Sequence, residues 1–162
     1  MTLGSHQKTV GKSQSWITPK WIIDALGPFD LDPCASDPQP WPCAKLSYAW
    51  ADDGLARRWF GMVFLNPPFH RYEVGKWIAR LAFHGNGIAL VHAHTEAEWF
   101  EPIWECADAI GFLKDRLYFH YPDGCRAGAN SGAPAVLAAF GAEARKRMDR
   151  SKIAMHLVTD WL

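Results

Sequence analysis

A three-layer α/β fold, with a mostly parallel sheet and an antiparallel C-terminal hairpin, is what this sequence predicts from three observations. Short apolar runs alternate with stretches of helical spacing along most of the chain, the order that builds strands covered by helices. The residues capable of chemistry fall at the ends of those runs rather than inside them. No segment repeats and no break in composition marks a second unit, so the 162 residues read as one domain around one core.

Bulk properties narrow the class. Apolar residues make up 49% of the chain and include nine tryptophans, enough for a globular interior. Formal net charge is zero, so any footprint for a polyanion must be local. The four cysteines, Cys34, Cys43, Cys106 and Cys125, form no CxxC pair, which favours reduced thiols over a disulfide or zinc framework. No apolar run approaches the roughly 20 residues of a membrane span, and the N-terminus lacks a signal peptide's apolar centre. A soluble, cytoplasmic protein is expected. Residues 1–14 are polar, hold Lys8 and Lys12 and no acid, and read as a flexible arm ahead of a domain spanning 15–162. Such an arm could touch a phosphate backbone or simply fray.

Order is expected from Trp16. Thr18-Pro19 makes a good helix start, with Thr18 as N-cap and Pro19 at the first helical position. Trp21, Ile22, Ala25 and Leu26 follow at helical spacing up to Gly27-Pro28. Phe29-Asp30-Leu31 reads as a short strand delivering Asp32-Pro33-Cys34-Ala35-Ser36 at its end, where open α/β sheets place their ligands. Nucleotide-binding loops there usually carry a glycine-rich turn, whereas no glycine stands between Gly27 and Gly54. Residues 37–50 are rich in Pro and Trp and read as an irregular loop, in which Trp41, Tyr48 and Trp50 are available either to close the core or to stack on a flat ring. Asp52-Asp53-Gly54-Leu55 is expected to open a short helix running to Trp59.

The most informative stretch is Met62-Val63-Phe64-Leu65 followed by Asn66-Pro67-Pro68-Phe69. An apolar run closed by two prolines is a buried strand that stops in a rigid turn, because proline fixes φ and has no N–H for a ladder. The turn offers one side-chain amide, carbonyls without neighbouring N–H groups, and one aromatic face. That set suits a planar group carrying an NH2. An amino nitrogen on a base or an amide is a poor nucleophile while its lone pair is delocalised. Acceptance of its two protons by the Asn66 side-chain oxygen and the Pro67 carbonyl would pull it towards a tetrahedral shape, with Phe69 stacked on the ring and Pro68 stiffening the turn. No strong general base is required.

Beyond the motif, Val74, Trp77, Ile78 and Leu81 predict a helix over 72–83, and Ile88 to Val91 a buried strand. An acidic amphipathic helix is expected over 95–104, starting at Thr95. His92 and His94 form an H-x-H pair, but no third ligand is signalled and no metal is expected. Ala109 to Leu113 reads as a strand, with a hairpin arm leaving at Arg116 to Phe119 and returning at Pro134 to Phe140. The intervening loop, residues 120–133, is long enough to suggest a role; Arg116 and Arg126 could meet phosphates there, beside Asn130. Residues 143–152 form a helix whose five basic residues make either a solvated face or a modest phosphate patch, and 153–158 finish with a strand.

Asn66-Pro67-Pro68-Phe69 after an apolar strand resembles the catalytic motif of S-adenosylmethionine-dependent amino-group methyltransferases. The ordered stretches Trp16 to Trp21, Phe29 to Ser36, Asp52 to Leu55 and Trp99-Phe100 widen the resemblance to the small phage-type DNA N6-adenine methyltransferases (Dam-like), over roughly Ser15 to Phe140. The resemblance implies a Rossmann-like class I methyltransferase fold with no separate target-recognition domain, S-adenosyl-L-methionine as cofactor, and DNA as partner with the adenine flipped from the stack. It implies catalytic roles for Asn66, Pro67, Pro68 and Phe69, and cofactor contacts from Thr18, Pro19, Asp32, Pro33, Cys34, Ala35, Asp53 and Asn66. Arg71, Arg116, Arg126 and Asn130 are the expected nucleic-acid contacts. In that family an arginine stands in place of His94. The same motif chemistry also serves guanine N2 in RNA or a glutamine side chain, and an inactive binding relative is the alternative from another class.

Overall fold

Alternation of side chains along the central strands gives the sheet two apolar faces, and each face collects its own helices. The structure is a computed structural model that describes residues 16–69 and 73–161. Its strands are β1 (Leu31–Asp32), β2 (Leu46–Ser47), β3 (Val63–Leu65), β4 (Gly87–His92), β5 (Ala109–Leu113), β6 (Ala135–Phe140) and β7 (Met155–Val158). Its helices are α1 (Lys20–Leu26), α2 (Val74–His84), α3 (Glu101–Cys106) and α4 (Ala142–Arg150). Phe64, Ile88, Leu90, Leu137 and Ala139 turn to one face, where they meet Ile22 and Leu26 of α1 and Ala144 and Met148 of α4. Val63, Leu65, Ala89, Val91, Val136 and Ala138 turn to the other, against Val74, Trp77, Ile78 and Leu81 of α2 and Ile103 of α3. Most of these side chains are fully buried, and each large one contributes about 1.5–3 kcal/mol relative to exposure.

The seven strands form one sheet in the order β2-β1-β3-β4-β6-β5-β7. The pairings β1–β2, β1–β3 and β3–β4 are parallel. Those of β4–β6, β5–β6 and β5–β7 are antiparallel. Consequently β1 to β5 all run one way and only β6 and β7 run back. The C-terminal ends of β1, β3, β4 and β5 therefore lie along a single edge, which is where the motif residues emerge.

Several local expectations are corrected. Pro19, with extended ψ, is the N-cap of α1 and Lys20 its first residue; Thr18 lies one position too early to cap. Residues 37–50 are not wholly irregular, because Leu46–Ser47 pairs in parallel with β1. No helix runs from Asp52 to Trp59: a single 3₁₀ turn occupies Trp50–Asp52, and Asp53 enters the left-handed region (φ 50°) and ends it. The Asp52 carboxylate accepts from Ala49 N–H at 2.8 Å, closing the turn on itself. Residues 116–119 form no sheet arm; β6 pairs antiparallel with β4 and β5, and the chain beyond β5 is held by isolated bridges of His120 to Ile17 and Arg126. The acidic helix starts later than Thr95, as a 3₁₀ turn at Glu98–Phe100 leading into α3. Among the described residues, no helix is long and apolar enough to cross a membrane. The N-terminal arm and Arg71 lie outside the described residues.

Candidate active site

Where the strand ends converge, a cavity of about 810 Å³ opens. It is walled by the loop after β1, by Asn66 to Phe69 after β3, by His92 at the end of β4, by Trp50 and Asp53 to Leu55, and by Trp16 to Thr18 ahead of α1. Of the residues expected at the site, Asn66, Pro67, Pro68, Phe69, Thr18, Asp32, Pro33, Cys34, Ala35 and Asp53 are brought together here. Pro19 is not in the wall, being spent on the start of α1.

Asn66 is held in one orientation. Its Nδ2 donates to the Trp16 carbonyl and to Thr18 Oγ1, both at 3.0 Å. A carbonyl only accepts, so the nitrogen must face Trp16 and the oxygen must face away. That oxygen, Oδ1, is buried and has no hydrogen-bond partner among the described residues. An unsatisfied buried acceptor costs about 1–3 kcal/mol, a cost relieved by any N–H donor placed in the cavity. Thr18 thus serves first to aim the amide. The Cys34 thiol donates to the Asn66 carbonyl at 3.2 Å, pinning the backbone of the same residue. Burial pushes the Cys34 thiol well up from its ordinary range, so it acts as a neutral donor and not as a nucleophile.

Phe69 lies flat against His92, with ring centroids 4.0 Å apart and planes 5° from parallel, and Phe119 meets it edge-on at 6.4 Å. Burial, then repulsion from His94, lowers the His92 pKa to about 4. A neutral imidazole therefore backs the aromatic ring at neutral pH. Asp32 is also buried, and its carboxylate is met by Cys34 N–H at 3.2 Å and Gln39 Nε2 at 3.4 Å. Those two long contacts offset little of the desolvation, which raises its pKa to about 6. Ser36 Oγ is a second buried polar atom of the wall without a described partner.

The glycine missing from the loop after β1 is supplied from across the cavity. A Cβ on Gly54 would sit 1.8 Å from the Pro33 carbonyl oxygen, so only glycine lets the 53–55 turn close on the 33–36 loop. Asp-Asp-Gly-Leu carried that signal, hidden by reading it as a helix start. Gln39, Trp16 and His92 are further wall residues outside the expected set; Gln39 sits in a stretch whose composition signals only a loop.

The aromatics divide. Trp41 is structural, donating from Nε1 to the Thr18 carbonyl at 3.0 Å, and Tyr48 donates to the Arg58 carbonyl at 3.0 Å. Trp50 is 89% exposed at the cavity rim. Arg116 and Arg126 lie apart from this cavity, in a neighbouring groove. Asn130 closes a turn through Gly132 N–H at 3.0 Å. On α4, Arg147 donates to the Leu26 and Pro28 carbonyls and pairs with Glu143, while Arg145 faces Asp160, so two of that helix's basic residues serve the fold. Among the described residues no group of three His, Cys, Asp or Glu side chains is placed to hold a metal.

No curated protein and no solved structure matches this chain. A family model does, that of the DNA N-6-adenine-methyltransferases (Dam), over residues 4–156 of the 162, and the chain belongs to that family.

Proposed function

We propose that this protein transfers a methyl group from S-adenosyl-L-methionine to the N6 amino group of adenine in DNA, on a Rossmann-like class I methyltransferase fold. The observation that carries the reading is Asn66 Oδ1, a buried acceptor that has no partner among the described residues and whose amide cannot turn away. Strand order supports the fold assignment: a parallel half, β2-β1-β3-β4, joined to a half containing the reversed strands β6 and β7, with helices on both faces.

The wall residues fit the cofactor. A volume of about 810 Å³ lies within the range of ligand pockets, about 300–1,000 Å³. Asp32 offers an undersatisfied carboxylate to an ammonium or a ribose hydroxyl, and the absence of a side chain on Gly54 lets its turn close on the Pro33 loop. When bound, S-adenosylmethionine supplies an electrophilic methyl group. Asn66 Oδ1 and the Pro67 carbonyl accept the two N6 protons and localise the lone pair. Phe69, backed by neutral His92, fixes the plane of the base. Because the attacking nitrogen becomes cationic, the same two oxygens are worth more in the transition state than before it. Its surplus proton then passes to water.

Transfer of labelled methyl from the cofactor to adenine-containing DNA, with adenine-free DNA, RNA and protein fractions alongside, tests the reading. Label confined to adenine-containing DNA is expected; label in RNA or protein alone would refute it. Trp50 makes a further prediction. Its exposed indole lines the cavity mouth, where it can stack on a bound ring, so Trp50→Ala is expected to weaken cofactor binding about tenfold by calorimetry. The melting temperature should barely move. Unchanged affinity would remove Trp50 from the site.

A further inference from the structure

A second groove, of about 390 Å³, lies on the same sheet edge as the first cavity. It is formed by Leu113, the acidic residue Asp115 and Arg116 to Tyr118 on the chain leaving β5, by Ala154 just before β7, by Trp21 on α1, and by His120 and Arg126. Because β5 runs with β3 and β4, this groove lies at the same end of the sheet as the Asn66 turn, with β4 and β6 between β3 and β5. The wall between the two is thin. Ile17, which lines the large cavity, exchanges two backbone hydrogen bonds with His120, which lines the groove, at 2.9 and 3.0 Å. One such bridge spans about 5 Å, so adjoining units of a single strand can occupy both spaces.

Its chemistry is that of a nucleotide. Trp21 is 52% exposed on a helix whose other large apolar residues are fully or nearly buried. Arg116 and Arg126 are exposed, and neither pairs with a described carboxylate. The Arg126 guanidinium is instead stacked over the Tyr118 ring at 3.9 Å, which fixes it in place with its donors free. An aromatic face beside two free guanidinium groups is the combination that binds single-stranded nucleic acid, bases on the ring and phosphates on the cations.

We propose that this groove holds the nucleotide adjoining the methylated adenine, its base on Trp21 and its phosphates on Arg116 and Arg126. The proposal rests on the DNA reading above, since it names that substrate's next unit. It also explains how a chain with zero net charge holds a polyanion: the contact is local.

The test uses anisotropy of a fluorescent DNA 12-mer with one central adenine, single-stranded and annealed, and the same strand with both neighbours of the adenine made abasic. Wild type is expected to bind the abasic strand about tenfold more weakly. Trp21→Ala should lose about tenfold on the intact strand and no longer tell the two apart, with Trp21→Phe recovering most of the difference. Arg116→Ala and Arg126→Ala should each reduce the salt dependence of binding by about one phosphate contact. Affinity for S-adenosylmethionine should be unchanged in all four, which excludes unfolding. If Trp21→Ala discriminates as wild type does while wild type methylates adenine, the groove proposal falls and the methyltransferase reading stands. If wild type neither binds nor methylates DNA in either form, both fall together.

Discussion

Asn66→Ala is expected to lower methyl transfer by about a thousandfold or more while cofactor binding stays within a few fold of wild type. On the proposed mechanism the lost group is a fixed acceptor aimed at the atom that gains positive charge, and removal of one preorganised hydrogen-bonding group from such a position typically costs about 10²–10³ in rate. A further loss follows because Nδ2 ties the Trp16 to Thr18 segment to the turn through two 3.0 Å bonds. Those bonds are worth about 1 kcal/mol each, so a fall in melting temperature of several degrees should accompany the change. Asn66→Asp separates the two effects. It keeps an acceptor in the cavity, yet sets an oxygen against the Trp16 carbonyl where a donor stood. Stability should suffer at least as much as in Asn66→Ala, and activity clearly less. Near-full methylation by Asn66→Ala would show that the amide oxygen does not act on the amine. Equal loss in both variants, tracking cofactor affinity, would reduce Asn66 to a brace.

That pair of bonds also shows what sequence could and could not convey. Val63 to Leu65 followed by two prolines declares a strand and a turn through local physics alone, and the structure places the turn at the convergence of the strand ends. The helices α1 and α2 were legible for the same reason, since their apolar residues repeat at helical spacing, and α4 through its charged, solvated composition. The orientation of Asn66 was not, because its partners lie 48 and 50 residues away. Thr18 fits a local capping rule, but the cap falls one residue later, at Pro19, and the Thr18 hydroxyl is engaged by Asn66 instead. Gly54 was hidden similarly: its reason is the Pro33 carbonyl, 21 residues upstream in sequence and in contact only after folding. The two-residue strand at Leu46–Ser47 has no periodicity to detect and exists because β1 offers it an edge. Local turns and apolar periods can be read from the chain; contacts between loops must be seen.

Asp32→Asn should make the protein more stable at neutral pH and worse at binding S-adenosylmethionine. Asp32 has an ordinary pKa of 3.8 and is raised to about 6 by burial, so the folded state holds its proton over a range in which the unfolded chain has lost it. With more protons bound in the folded state, stability falls as pH rises from about 4 to about 6. Two units correspond to about 3 kcal/mol, an order-of-magnitude figure for the cost of keeping the carboxylate charged and short of partners. His92 works in the opposite sense: lowered from 6.5 to about 4, it withdraws stability as pH falls through that same window. The wild-type profile should therefore look flatter than either group alone would make it, and the variant exposes the Asp32 component. Melting curves of wild type and Asp32→Asn should nearly coincide at pH 4 and separate by several degrees, variant higher, at pH 7. The asparagine can still accept from Cys34 N–H, and the Gln39 amide can turn its oxygen towards the new donor, with the Cys43 thiol, which now accepts from Gln39 Nε2, donating to that oxygen instead. Cofactor affinity should drop about 10- to 100-fold, the usual worth of a charge-assisted contact. A buried charge kept at a cost to the fold is explained by what it holds. If Asp32→Asn instead melts lower at pH 7 and binds cofactor as wild type does, the carboxylate belongs to the scaffold and not to the site.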